Sequence, residues 1–216
     1  ASMRRHQHRL TATCGALIYR GDALPDCRGN AFIPEPSANL VKRAVLTEKD
    51  GVISGASAIP GREFLTSTDE RFRPVQAADG PDGALYLVDM YRGIIQHSGF
   101  LTHYLIANIA ARKLAPPLDC GRIWRIVPDK SPPAKAVKIP AGTGERAALL
   151  SHPNGWVRDT AQRLLVESAA PEAAAAVSAV LSGQASASPA RLHALWTLDG
   201  LSATTPETLR AAFRDP

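Results

Sequence analysis

Three stretches decide the fold: Phe72-Arg73-Pro74-Val75, then Gly80-Pro81-Asp82-Gly83-Ala84-Leu85-Tyr86-Leu87-Val88-Asp89, and further on Gly121-Arg122-Ile123-Trp124-Arg125-Ile126. Together they read as a hairpin followed by a returning strand. Asp82-Gly83 predicts a tight I′ turn, with both residues at positive φ. Beyond it the side chains alternate, Leu85, Leu87 and Asp89 on one face and Tyr86 and Val88 on the other. The third stretch alternates too, with Ile123, Arg125 and Val127 opposite Trp124 and Ile126.

Upstream, residues 14–60 read as short strands separated by turn chemistry. Ala16 to Tyr19 is closed by Arg20-Gly21-Asp22. Asn30 to Pro34 and Leu40 to Leu46 flank a Pro-Ser-Ala-Asn connection, and Glu48-Lys49-Asp50-Gly51 turns into Val52 to Ser57. Such spacing predicts an all-β sandwich, barrel or propeller. Between the hairpin and its returning strand lies an insertion, residues 97–120. Phe100, Leu101, Tyr104, Leu105 and Ile109 recur at helical spacing, Arg112 and Lys113 suit a helix carboxyl end, and Pro116-Pro117 stops it. The expectation is an amphipathic helix packed over one face of the sheet, with contact to a membrane surface as the alternative.

Residues 129–143 read as a Pro-rich, extended linker. After it the class changes. Ala-rich segments of helical periodicity are broken at His152-Pro153-Asn154-Gly155, Ala170-Pro171, Ser188-Pro189 and Thr205-Pro206, with Asn154, Ser188 and Thr205 expected as caps. Arg158, Ala161 and Leu165 recur 33 residues later as Arg191, Ala194 and Leu198. Trp156 and Trp196 stand among small and apolar neighbours and are expected in the helical core. The fold class is therefore mixed, an all-β part followed by an all-α part.

The ordered set Tyr19-Arg20-Gly21-Asp22, Gly29-Asn30-Ala31-Phe32, Glu63 to Asp69, Phe72 to Val75, Gly80 to Tyr91 and Gly121 to Ile126 resembles the last blade of sugar-dehydrogenase-like propellers. That group includes soluble quinoprotein glucose dehydrogenase and sorbosone dehydrogenase. The set is more closely similar to the membrane-bound dehydrogenase family, whose propellers often continue into HEAT-like helices and a haem-binding cytochrome c domain. The resemblance implies the last one to two blades of a β-propeller over 1–128, the linker over 129–143, and HEAT-like repeats over 144–216. Repeats of that kind cannot bury their faces singly, so the stack is expected to continue past Pro216.

Bulk properties narrow the function classes. The 216 residues carry a net charge of +5, unevenly placed: residues 1–143 hold 19 basic and 13 acidic side chains, residues 144–216 hold 6 and 7. The basic residues are scattered rather than clustered with aromatics on one element, which argues against nucleic acid. No apolar run is long enough for a transmembrane segment, and no secretory leader is visible. The three cysteines, Cys14, Cys27 and Cys120, show no paired metal spacing. Cys14 and Cys27 are read as free thiols or, in an oxidising compartment, as a disulfide. No Cys-x-x-Cys-His occurs, so this chain cannot attach a c-type haem by the usual chemistry; the resemblance implies haem c only on a domain outside this sequence.

The residues with chemical potential are few. Arg71 and Arg73 flank Phe72; in extended backbone i and i+2 share a face, so two guanidinium forks can point one way, suited to carboxylates or an oxyanion. By the resemblance they are placed for pyrroloquinoline quinone (PQQ), although Pro74 stands where the quinoprotein pattern has Asp. Otherwise they pair with Asp69, Glu70 or Asp79. His97 is either a general base for an alcohol or a hydrogen-bonding loop residue. His6 and His8 alternate like metal ligands but sit among arginines. Asp69, Asp82 and Asp89 suggest Ca2+ without the dense loop that ion favours, so no metal ligand is assigned.

The resemblance implies oxidation of a sugar or polyol at a quinone, with electrons passing on to haem, in a periplasmic or cell-envelope protein. The partners would be the missing blades and a downstream HEAT and cytochrome domain. The other reading is a non-catalytic propeller and HEAT module that binds carbohydrate or protein.

Overall fold

The computed structural model describes residues 11–129, 135–183 and 187–214. The architecture is mixed, and the chain divides into two compact units: residues 11–80 with 84–129, and residues 81–83 with 135–214.

The first unit is built on antiparallel strands. β1 (Leu17–Ile18), β2 (Ala31–Glu35), β3 (Leu40–Lys49) and β4 (Val52–Ser57) pair in that order, and β5 (Leu65–Thr66) pairs with the start of β3. A second sheet holds β6 (Pro74–Asp79), β7 (Leu85–Asp89) and β8 (Arg122–Ile126), with β7 central. These three strands are the hairpin and returning strand expected from the sequence. The alternation on β7 holds as well: Leu85, Leu87 and Asp89 are buried, while Tyr86 and Val88 are half-exposed. Leu85 and Leu87 join Tyr19, Cys27, Phe32, Val41 and Ala77 in one apolar cluster, so the two sheets share a core. Phe32 sits edge-on to both Tyr19 and Phe64, at 6.0 and 4.8 Å between ring centres.

The Asp-Gly turns divide differently from expectation. The I′ geometry is found at Asp50-Gly51, where φ is 53° and 76° and Lys49 pairs with Val52 across a two-residue loop. At Asp82-Gly83 only Gly83 has positive φ, 76°. There Asp79 pairs with Leu85 and Gly80 donates to the Ala84 carbonyl, leaving Pro81-Asp82-Gly83 as a three-residue loop. Proline's fixed φ suits the first position of such a loop, and glycine its left-handed last position. Gly15, at φ 44°, is a second demanding glycine. Its carbonyl accepts from Ala77 N at 2.9 Å, and a Cβ there would lie 2.4 Å from the Val75 carbonyl oxygen.

The insertion departs from expectation more sharply. A 3-10 turn (Ser98–Phe100) leads to α1 (His103–Ala111), capped by the Thr102 hydroxyl, which accepts from Leu105 N. The helix ends at Ala111, with Lys113 left-handed at φ 53°, well before the prolines. No residue of α1 is buried, and Phe100 and Tyr104 are 77% and 74% exposed. The helix is not a core element, because its apolar side chains run round the cylinder and only one side meets the protein.

The second unit contains α2 (Thr143–Ala148), α3 (Gly155–Ser168), α4 (Ala173–Ser182), α5 (Ser188–Gly200) and α6 (Pro206–Ala212). Ala161 and Leu165 of α3 and Ala194 and Leu198 of α5, the recurring pairs of the sequence, are all buried in one core with Leu150 and Val177. Asn154 and Thr205 cap as expected, accepting from Trp156 N and Thr208 N. Ser188 does not cap: it is the first helical residue, and Ala187 takes the cap position. Trp196 is not core either. It is 59% exposed, whereas Trp156 is half-buried. The three cysteines are free, with Cys27 in the core.

Two predictions follow from the first unit. Gly15→Ala combines a left-handed backbone with a backbone clash and is expected to cost about 3 kcal/mol or more; Gly29→Ala, at φ 78° with open space around it, about 1 kcal/mol. Urea unfolding of both variants checks the ranking. Burial pushes the Tyr19 hydroxyl up to about 12, against the smaller opposing effect of the hydrogen bond from Leu24 N. The neutral phenol is thus favoured in the folded state. Its contribution is complete below about pH 10, the unfolded value, and is lost as pH rises towards 12. In Tyr19→Phe the alkaline fall in melting temperature over that window is expected to be shallower than in the wild type.

Candidate functional site

One network of polar groups in the first unit lies at one end of the second sheet, where β6 begins, β7 ends and β8 begins. Strand alternation carries Asp89 onto the apolar face, and it is 1% exposed. A carboxylate in that position requires donors. Its Oδ1 accepts from the amides of Arg73 at 2.8 Å and Tyr91 at 2.9 Å, and its Oδ2 accepts from Trp124 Nε1 at 3.0 Å. One side chain therefore fixes the entry to β6, the turn after β7 and the middle of β8.

Arg73 completes the framework. Its Nε donates to the Arg92 carbonyl at 2.9 Å, Nη1 to the Pro36 carbonyl at 2.6 Å, and Nη2 to the Gly93 carbonyl at 3.2 Å. Burial lowers its pKa from the ordinary arginine value, partly offset by Glu70 and Asp89. Arg71 turns elsewhere. Its Nη2 donates to the carbonyls of Lys113 at 2.6 Å and Pro116 at 3.0 Å, and its Nε also reaches the Pro116 carbonyl at 3.3 Å. The two guanidiniums thus serve different segments, and neither takes the carboxylate partners Asp69, Glu70 or Asp79 through its side-chain hydrogen bonds. Glu70 instead pairs with Arg112 at 2.7 Å.

The rim of this end is a smaller network. Asp69 accepts from Arg71 N at 2.9 Å and from the Tyr91 hydroxyl at 2.9 Å. The first of these bonds is the main cause holding the Asp69 carboxyl below its usual range, and the second pushes the Tyr91 hydroxyl up. The Arg122 guanidinium lies 3.6 Å from the centre of the Tyr91 ring and 5.8 Å from that of Trp124. Sequence reasoning placed Asp89 on the Leu85–Leu87 face without assigning it a role. An acid at the third position of an apolar alternation was the available signal. Tyr91 and Arg122 gave none, because their contact depends on strand pairing.

His97 is exposed and caps the 3-10 turn, its Nδ1 accepting from Gly99 N at 3.2 Å, with its ring edge-on to Phe100 at 5.9 Å. It does not join Arg71 and Arg73 in any hydrogen bond. Asp69 and Asp89 are engaged separately, and among the described residues no three His, Cys, Asp or Glu side chains gather as a metal site. His6 and His8 lie outside the described residues.

The second unit has an open cleft of about 440 Å³ between α3 and α5. Trp196 lines it with Asp159, Gln162, Arg163, Glu167 and Asp199. His193 borders these residues, with Nδ1 2.8 Å from Gln162 Oε1 and Nε2 3.8 Å from Asp159 Oδ1. An exposed indole beside carboxylates and an amide offers one stacking surface and several hydrogen-bonding groups.

Because three donors converge on Asp89, Asp89→Ala is expected to cost about 3 kcal/mol or more, and Asp89→Asn less, since one acceptor oxygen survives. Urea unfolding followed by far-UV circular dichroism orders the two. An Asp89→Ala protein as stable as the wild type would show that the three hydrogen bonds add nothing.

No curated protein matches the chain, and no solved structure does. Residues 1–130, more than half of the chain, match the model of a domain of unknown function, DUF7133. That match covers the strands, α1 and the whole Asp89 network, and the chain belongs to the DUF7133 family.

Proposed function

We propose that the first unit is the carboxy-terminal one to two blades of a sugar-dehydrogenase-like β-propeller and that the second begins a HEAT-like stack, as part of a quinone-dependent sugar or polyol dehydrogenase-like protein. The observation that carries this reading is the pair of antiparallel sheets sharing one core, the second with its hairpin and returning strand held at one end by Asp89. The ordered sequence set that resembles such propellers lies on those elements. Within this reading the segment acts as scaffold. As arranged, Arg71 and Arg73 do not fit a quinone carboxylate, because Arg73 spends Nε, Nη1 and Nη2 on backbone carbonyls and Arg71 donates to a different loop. No step of the oxidation is assigned to them, nor to His97.

A specific observation favours a second reading, a non-catalytic module that binds carbohydrate or protein. It is the exposed Trp196 in its cleft, where an indole and neighbouring carboxylates suit a sugar ring and its hydroxyls. One experiment separates the two. The protein is titrated with PQQ, followed by quinone absorbance, and separately with oligosaccharides, followed by tryptophan fluorescence. Arg71→Ala and Trp196→Ala are measured alongside. Saturable quinone binding would support the dehydrogenase reading. Retained in Arg71→Ala, it leaves the segment as scaffold; weakened about tenfold or more, at unchanged melting temperature, it would overturn that assignment and require Arg71 to leave its carbonyls. Saccharide binding lost in Trp196→Ala, without quinone binding, would establish the module. Neither ligand binding would reject both sites.

A further inference from the structure

A strand at the edge of a sheet leaves a row of amides and carbonyls without ladder partners, and proteins usually blunt such an edge with a charge or a proline. β4 carries neither. Its residues, Val52-Ile53-Ser54-Gly55-Ala56-Ser57, are all exposed, Val52 by 67% and Ile53 by 70%. β2 accompanies β3 only as far as Ala44, so from Val45 outward the β3–β4 hairpin is a two-stranded arm about 17 Å long. Among the described helices and strands only β3 lies along β4. Two strands alone are marginally stable in water, and further strands supply what they lack.

Register decides which groups are open. Just beyond β4, Ala58 N donates to the Arg43 carbonyl at 3.0 Å. Hydrogen-bonding direction alternates along an antiparallel strand, so Val52, Ser54 and Ala56 also bond towards β3. Ile53, Gly55 and Ser57 therefore turn their amides and carbonyls outward, where no described strand meets them. A second β4 set against this edge in the antiparallel sense, about a two-fold axis at Gly55, pairs Gly55 with Gly55 and Ile53 with Ser57 of the other copy. No side chains collide at the axis, and Ser54 and Ala56, which then lie opposite each other, are small. The strand holds no charge that the pairing would bury. The ends are complementary as well. The turn of one arm, with Glu48 and Asp50 against Lys49, approaches the Ile59–Arg62 turn of the other, where Arg62 is exposed. Among the described residues Arg62 makes no ion pair, whereas nearby Lys42 is spent on Glu63 and Arg43 on Asn30. We infer that β4 is a self-pairing edge through which two copies of this chain form a two-fold dimer, their arms joining as one four-stranded antiparallel sheet. This inference stands apart from the quinone and saccharide readings.

Sedimentation velocity over a range of protein concentration tests it, and a monomer–dimer equilibrium is expected. Gly55→Pro removes an outward N–H without removing a bond to β3, a substitution that an edge strand accommodates. With unchanged circular dichroism, it is expected to weaken dimerisation about tenfold or more. Ala56→Lys sets two lysines diagonally across the axis and is expected to weaken the dimer as well, while an equal mixture of Ala56→Lys and Ala56→Glu is expected to dimerise again. Phe213→Asp, at an exposed position in the second unit, is expected to dimerise like the wild type. Monomer at every concentration would overturn the inference. So would a dimer that survives both Gly55→Pro and Ala56→Lys, a dimer that Phe213→Asp dissolves, or assembly beyond two copies.

Discussion

The first unit depends on a buried carboxylate. Asp89 sits among apolar side chains because strand alternation leaves it no other face, and it is tolerated because three N–H groups from three parts of the chain reach it. Each donor is thereby fixed: the chain before β6, the turn after β7 and the indole of β8. The apolar core between the sheets supplies most of the driving force for collapse. Asp89 adds register, since a slip by one residue would expose the carboxylate and bury Tyr86 and Val88 in place of Leu85 and Leu87.

Arg73 works in the same direction. A planar fork can bind three carbonyls from two segments at once, which a lysine ammonium does with less geometric definition. Those carbonyls, of Pro36, Arg92 and Gly93, lie in connections between strands, where backbone groups lack ladder partners and need donors from elsewhere. The arginine that looked most like a ligand for an anion is thus a connector of loops. Arg71 plays a related part for the insertion, holding the chain that follows α1.

The second unit shows a different economy. Its core is made of alanine, valine and leucine from α2 to α5 and the turn after α2, and small side chains permit close helix approach. At Gly200 an added Cβ would fall 2.8 Å from Val166 Cγ2. The repeat of Ala161 and Leu165 as Ala194 and Leu198 is legible because helix burial obeys a fixed period, so equivalent positions bury equivalent residues. Trp196 was not legible in the same way. It follows buried Ala194 by two positions, and an i+2 step turns a residue away from its predecessor's face.

The sequence alone determined what short-range periodicity and turn chemistry encode. The alternation of Leu85, Leu87 and Asp89, the hairpin and its returning strand, the caps at Asn154 and Thr205 and the change from strands to helices all rest on neighbours within a few residues. Tertiary structure decided what depends on partners far along the chain. The same Asp-Gly pair became a I′ turn at Asp50-Gly51 and part of a three-residue loop at Asp82-Gly83, because strand register sets how many residues the turn must span. Helical spacing in the insertion identified a helix but could not say how much of its surface meets the protein. The pairing of Arg71 and Arg73 across Phe72 gave two cations. Where their donors point was fixed by carbonyls as distant as Pro36 and Pro116, brought near only by the folded chain.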